Sequence, residues 1–415
     1  METKHHRTSR TERSPAIAIL SPVIVAVLAI AILVGCAEET DPIFEKQSFT
    51  SIFDHNGFSS TFYPVSSRQT PDGGYLILGE RSISKSTFRG TYLVKADAFG
   101  NFERDITLDQ FANPIGELME VGGSYYFFAM DTLTLQGQLI KTDQSVTNVE
   151  VAGQSNVTYP AAASQDGNTL LLLSYDHVEK TSVMAGYDIN GHVVKGPRHF
   201  SIGAGDDVEE PIINHFLRAG KQFPFLVGKV SDGLYFFNGF QNYSFSLVFT
   251  DLEDDAPAGV VHGHQDDGGF SAVVPLGSNR FAASRFDFGE NFFLPGVNLQ
   301  TNGPTVGAYL EGFALPELTP DASVKILRTE IGTRKVLVYA SDTKSKQIGL
   351  FYYDEATGEF ISSRYLGFSN PFEIAGLIET EDDGIAVCGT TWLAGRFPRI
   401  CLFKISKEQH EQQVD

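Results

Sequence analysis

The chain has 415 residues, 42% of them hydrophobic and 33 of them Phe, which supplies a large core and excludes disorder. Against 31 Lys and Arg stand 51 Asp and Glu, a formal net charge of −20. A surface this acidic repels nucleic acid and anionic lipid headgroups, so neither is expected as a ligand. The length accommodates two domains, although all-β domains with many strands also run this long as one.

The chain opens with Lys4, Arg7, Arg10 and Arg13, followed by an apolar run from Ala16 to Val34. Basic-then-apolar patterning marks a targeting segment, set aside before the fold is considered. The run ends Leu33-Val34-Gly35-Cys36, which resembles the lipobox of bacterial lipoproteins. That resemblance implies a signal peptide over 1–35, cleavage before Cys36 and acylation of its thiol. Several acyl chains anchor stably where one is marginal. An uncleaved anchor is the alternative, since about 20 apolar residues span a bilayer; Pro22 within the run suits a processed signal better. Residues 37–41 read Ala-Glu-Glu-Thr-Asp and resemble the surface-export signal of Bacteroidetes lipoproteins. Residues 36–42 are thus a short tether. The expected location is the outer membrane, lipid-anchored at the cell surface, with a periplasm-facing disposition as the alternative.

After the tether, short apolar segments recur. They are YLILG from Tyr75, YYFFAM from Tyr125, TLLLLS from Thr169, FPFLVG from Phe223, FAASRF from Phe281, KVLVYA from Lys335 and IAVCG from Ile385. Their starts lie roughly 44 to 58 residues apart, a spacing that points to a repeat architecture. Asp-Gly or Gly-Gly turns precede most of them, as at Asp72-Gly73-Gly74 and Asp383-Gly384, and supply the positive φ of tight hairpins. A further strand ends in an acidic residue at Asp97, Asp143, Asp188 and Asp354, and an amphipathic strand such as FERDITL or EFISSRYL closes the unit. Four antiparallel strands repeated seven times predict a single seven-bladed β-propeller over 43–406, with no sustained helical period. The run DGGYLILG to TYLVKADAFGNF resembles repeat units of secreted bacterial β-propellers, including Bacteroidetes surface proteins. The last unit lacks a fourth strand, so the segment 43–53, IFEKQSFTSIF, is expected to complete it and close the ring. Residues 407–415 read as a polar tail.

Candidate functional residues are sparse. Asp206, Asp207, Glu209 and Glu210 form one acidic loop between units. A second runs from Asp251, Glu253, Asp254 and Asp255 to His262, His264, Asp266 and Asp267. Converging carboxylates suit Ca²⁺, and His262 and His264, two positions apart on an extended strand, suit a transition metal. The bland alternative is that both loops are solvated turns of an acidic protein. Trp392, with Arg396 and Arg399 nearby, makes an aromatic-cation platform for a sugar or peptide, or simply packs its loop. Cys388 and Cys401 flank a short loop in apolar strands, so they either form a disulfide or are buried thiols.

No nucleophile elbow, Cys-X-X-Cys, P-loop or dinucleotide fingerprint is present, and no catalytic residue is assigned. Two carboxylates for glycoside hydrolysis stay open, because propeller glycosidases draw them from distant positions. The leading expectation is a membrane-anchored, non-enzymatic binding or scaffold propeller for a protein or glycan partner, without a cofactor. The alternatives are an anchored enzyme acting on extracellular carbohydrate and a structural subunit of an outer-membrane assembly.

Overall fold

The structure, a computed structural model, describes residues 47–54, 60–393 and 397–414. Cys36, the tether and the signal segment lie outside the described residues, as does Arg396. Apart from two helices and one short 3-10 turn, the regular structure among the described residues is β.

The strands are β1 (Phe49–Phe53), then β2 (Phe62–Gln69), β3 (Tyr75–Ser82), β4 (Arg89–Ala96), β5 (Phe102–Val121), β6 (Ser124–Asp131), β7 (Gln136–Thr142) and β8 (Val149–Thr158). β2 to β8 form one seven-stranded sheet in sequence order. The 20-residue β5 joins its halves, pairing with β4 through Phe102–Ala112 and with β6 through Phe111–Val121. A four-stranded sheet follows from β9 (Pro160–Asp166), β10 (Thr169–Asp176), β11 (Thr181–Tyr187) and β12 (Val193–Ser201). Helix α1 (Asp206–Phe216) comes next.

β13 (Leu226–Ser231), β14 (Leu234–Gln241), β15 (Ser244–Thr250) and β16 (Gly259–His262) build the next sheet. β17 (Gly268–Gly277), β18 (Arg280–Asp287) and β19 (Glu290–Asn298) start another. The chain then leaves its own sheet: β20 (Gly303–Val306) pairs in parallel with β16 before β21 (Phe313–Ala314) returns to β19 over two residues. β22 (Val324–Ile331), β23 (Arg334–Asp342), β24 (Ile348–Asp354) and β25 (Phe360–Leu366) make a regular four-stranded sheet. β26 (Phe372–Glu379), β27 (Ile385–Trp392) and β28 (Pro398–Ile405) make the last, which takes β1 as its fourth strand. All these pairings are antiparallel except β16 with β20.

Each meander has a turn end, holding the first-to-second and third-to-fourth hairpins, and a connector end, holding the second-to-third turns and the links to the next sheet. The inner strand of each meander packs on that of the next: β2 on β5, then β9, β13, β17, β22 and β26, with β26 back on β2. Apolar clusters fill the spaces between sheets. One joins β23 and β24 to β27 and β28 around Val338, Leu350, Ile385 and Cys401; another joins β27 and β28 to the first sheet around Ala386, Ile400, Phe62 and Tyr75. Because both faces are covered, the second and third strands are continuous apolar runs rather than alternating ones.

Three expectations are corrected. The fourth unit's second strand is β14, eleven residues beyond Phe223, because α1 lengthens the preceding connection. The acidic stretch from Asp206 is the start of that helix, where negative charge suits the macrodipole, and Val208, Ile212, Ile213 and Phe216 form its apolar stripe. The polar tail instead contains helix α2 (Lys407–Glu411), capped by Ser406, with His410 fully buried against Tyr352.

Candidate functional site

The connector end carries the largest departure from the repeat. Residues 202–225, with α1 at their centre, lie over an aromatic cluster of Tyr175, Ile202, Phe216, Phe223, Phe240, Phe245 and Phe286. The segment reaches several sheets. Asn113 in the bend of β5 donates from Nδ2 to the Phe216 carbonyl at 2.7 Å. Arg218 pairs with buried Glu80 on β3, which also receives Arg89 at 3.2 Å. Lys221 meets Asp321 at 3.2 Å, donates to the Asp266 carbonyl at 2.8 Å and lies over the Phe286 ring. His215 accepts from the Phe223 N–H at 3.0 Å, and burial holds its pKa well below the usual histidine range, so it packs as a neutral ring. This cap is apolar within and ion-paired at its margins.

Among the described side chains, the predicted metal residues do not converge. Glu209 is buried and engaged by the Tyr175 hydroxyl at 2.7 Å, by His177 and by Lys180 at 3.2 Å, an arrangement that ties α1 to β10. Asp206 and Asp207 open the helix. His264 stacks edge-on against Phe288, and with His262 it lines a recess with room for about one water. Asp266 contributes its carbonyl to Lys221. Asp251, Glu253, Asp254 and Asp255 belong to the β15–β16 hairpin at the turn end, the opposite end of the sheet from His262 and His264. Among the described residues no three His, Cys, Asp or Glu side chains are grouped to hold a metal ion.

Of the aromatic-cation platform, the Arg399 part is corrected. Trp392 is half-buried at the end of β27 opposite Pro398. Arg399 is buried beneath the surface: its guanidinium pairs with Asp54 and donates to the Ser60 carbonyl at 2.8 Å, stitching the segment after β1 to β28. Cys388 and Cys401 are free and buried. Cys388 sits opposite Leu402 and Cys401 opposite Gly389, so the two thiols point to opposite faces of the sheet and cannot bond. Burial pushes the Cys388 thiol up to about 11, out of range for a nucleophile at neutral pH.

A group of ionisable residues on or beside the inner strands escaped the sequence reading: Glu117 on β5, Lys325 on β22, Asp342 at the end of β23 and Glu373 on β26. The signal was a lone charge interrupting an apolar inner strand, as in VKIL and FEIAG. Asp342 accepts from the Ile374 N–H at 2.6 Å. Burial, aided by Glu373, pushes its carboxyl up to about 7, although the Ile374 bond and Lys325 oppose the rise. A folded pKa above the unfolded value of 3.8 means stability is lost as pH rises from about 4 to about 7. Asp342→Asn keeps an acceptor for Ile374 and removes the titration. Urea unfolding at pH 5 and pH 8 should therefore show the variant gaining on the wild type by about 2–4 kcal/mol at the higher pH. An unchanged difference between variant and wild type across the two pH values would remove this assignment.

No protein-family model matches the chain, and no curated protein matches it in sequence. Solved structures do match in fold. Raptor from Chaetomium thermophilum aligns with 85% of this chain and 28% of its own, at 10% identity and a TM-score of 0.50. The β-propeller domain of the Trilobed protease from Pyrococcus furiosus, which has an open velcro topology, aligns over 85% of this chain and 97% of its own, at 10% identity and TM-score 0.47. A chain of the Mitotic Checkpoint Complex aligns over 88% and 97%, at 12% identity and TM-score 0.44. The likeness is one of fold. The fold is of the β-propeller kind, all-β with multiple four-stranded antiparallel sheets.

Proposed function

We propose that the chain is a seven-bladed β-propeller of the exported Bacteroidetes lipoprotein type. It is held on the outer membrane by acyl chains on Cys36 and acts as a non-enzymatic binding scaffold for a protein or glycan partner at the cell surface. The blade count follows if β5 serves two blades, as fourth strand of the first and inner strand of the second. The cycle of inner-strand contacts from β2 through β26 and back supports closure, with β1 completing the last blade.

One observation carries the binding role. Among the described residues, the five large apolar side chains more than 60% exposed are Leu133 at 91%, Tyr309 at 84%, Val178 at 83%, Phe368 at 82% and Phe288 at 63%. All five lie at the connector end. That the most exposed apolar tips share one end supports reading that end as the interaction surface. β1 runs toward that end, so the chain before Phe49 joins at the turn end.

Photo-crosslinking residues placed singly at Leu133, Val178 and Phe288, with turn-end controls at Phe99 and Phe102, test this on intact cells. Adducts from the connector-end positions alone are expected. Equal adducts from both ends, or none from the connector end, would overturn the role. Protease shaving of the same cells should remove the protein; full protection would overturn the surface location.

A further inference from the structure

Where the chain leaves its own sheet, it builds a recess at the connector end. β20 carries Val306 alongside His262 of β16. The 3-10 turn Gly307–Tyr309 follows, and the Leu310 carbonyl accepts from Arg285 Nε at 3.2 Å. His262, His264, Arg285, Asp287, Gly307 and Ala308 thereby line a common recess, whose remaining wall is mostly glycine. Its floor admits about one oxygen atom.

The fold does not use up the polar groups of this recess. Arg285 is 8% exposed and is held in place over the Phe292 ring, 4.1 Å from its centroid. Its Nη1 reaches Asp287 at a long 3.4 Å, and no hydrogen bond engages its Nη2 among the described residues. None engages the ring nitrogens of His262 or His264 either. Aromatic side chains stand at the margin. Phe288, next in the chain to Asp287, lies edge-on to His264 with ring centroids 4.7 Å apart, and Tyr309 is next to Ala308. These two rings are 63% and 84% exposed, and neither joins an apolar cluster among the described residues.

We propose that this recess binds one hydroxyl of a neutral glycan, with the sugar ring lying against Phe288 and Tyr309. A hydroxyl both donates and accepts, so a single group answers the Asp287 carboxylate, which only accepts, and the Arg285 guanidinium, which only donates. A carboxylate entering the recess would meet Asp287 and an ammonium would meet Arg285, so one half of the pair repels either charge. The apolar face of a pyranose suits an exposed aromatic ring, while its hydroxyls need polar partners that are still open. This inference rests on the connector end being the binding surface, and it selects the glycan from the two classes of partner.

Calorimetric titration of the purified full-length chain with cellohexaose, maltohexaose, xylohexaose and mannohexaose tests it, with hexagalacturonate as the charged probe. Saturable binding of at least one neutral oligosaccharide is expected. Asp287→Ala should weaken it about tenfold or more, through loss of a bond to a charged group, and Tyr309→Ala about fivefold. Tyr309 is exposed, so its variant keeps the wild-type melting transition even where Asp287→Ala does not fold. The proposal is overturned by no binding of any neutral oligosaccharide, by unchanged affinity in the folded variants, or by hexagalacturonate binding as tightly as the neutral sugars. Connector-end crosslinks that persist on intact cells in any of those cases would leave the binding role standing without its glycan; their loss as well would remove both.

Discussion

Deleting residues 47–53 should lower the melting temperature by about 10 °C or more, with loss of one cooperative transition rather than local fraying. β1 pairs with β28 along its whole length, from Phe49 opposite Lys404 to Phe53 opposite Ile400. Phe53 is buried, and Phe49 packs edge-on against Tyr75 of the first sheet with ring centroids 5.8 Å apart. The Ser48 hydroxyl accepts from the Ser406 N–H at 2.9 Å, so the strand also fixes the start of α2. Each large apolar side chain lost from burial costs about 1.5–3 kcal/mol. Removing β1 also exposes the outer edge of β28 and strips Arg399 of the chain that orients Asp54. Thr50→Ala, at an exposed position of the same strand, should leave the transition within a few degrees and serves as the control. An unchanged transition after the deletion would mean that β1 is an accessory strand and not the closure of the last sheet.

Most of the sheet pattern was legible because its physical cause is written locally. A strand covered on both faces has to be apolar at every position, which is why YLILG and KVLVYA stand out. The acidic residue that ends the third strand has a local cause too. Asp97 accepts from the N–H groups of Phe99 at 2.9 Å and Asn101 at 2.8 Å, and Asp188 does the same for Asn190 and His192. These carboxylates hold the third-to-fourth turn. Asp354 adds Arg334 at 2.7 Å, and with the N–H and hydroxyl of Thr357 this depresses its pKa to about 2.

The pattern failed between residues 207 and 318, where the chain breaks its own repeat. α1 spans three turns with Pro211 inside it, too short for a helical period to show against the surrounding strands. β20 pairs in parallel with a strand of the preceding sheet, a choice made by tertiary contact that no local signal encodes. Several candidate residues turned out to be structural for a related reason. Residue type announced Trp392, Arg399 and the acidic loops, but type does not say that Arg399 is consumed by Asp54 or that Glu209 is consumed by Tyr175 and Lys180.

Lys404→Met should cost about 3–5 kcal/mol, because it leaves a buried carboxylate without its cation. The Lys404 ammonium donates to the Thr380 hydroxyl at 2.7 Å, to Asp382 Oδ1 at 2.6 Å and to the Ile405 carbonyl at 3.2 Å. The Lys404 side chain is 2% exposed and that of Asp382 8%, so water cannot replace the lost bonds. Gly384 is required beside it, since a Cβ there would collide with the Ile405 carbonyl as well as with the ammonium. The first sheet repeats the device: Lys95 binds the Thr70 hydroxyl at 3.0 Å, Asp72 Oδ1 at 3.0 Å and the Ala96 carbonyl at 3.1 Å, with Gly74 in the place of Gly384. There the Asp72 side chain is 45% exposed and is screened by solvent, so Lys95→Met should cost clearly less, about 1–2 kcal/mol. The pair of variants separates two explanations of the clamp. If it acts through charge, Lys404→Met with Asp382→Asn should recover a large part of the loss, because the uncompensated carboxylate is gone. If it acts through the turn it holds, the double variant should be no more stable than Lys404→Met alone. Urea denaturation of the four proteins decides between these outcomes, and equal losses at Lys95 and Lys404 would show that burial of the carboxylate is not what sets the cost.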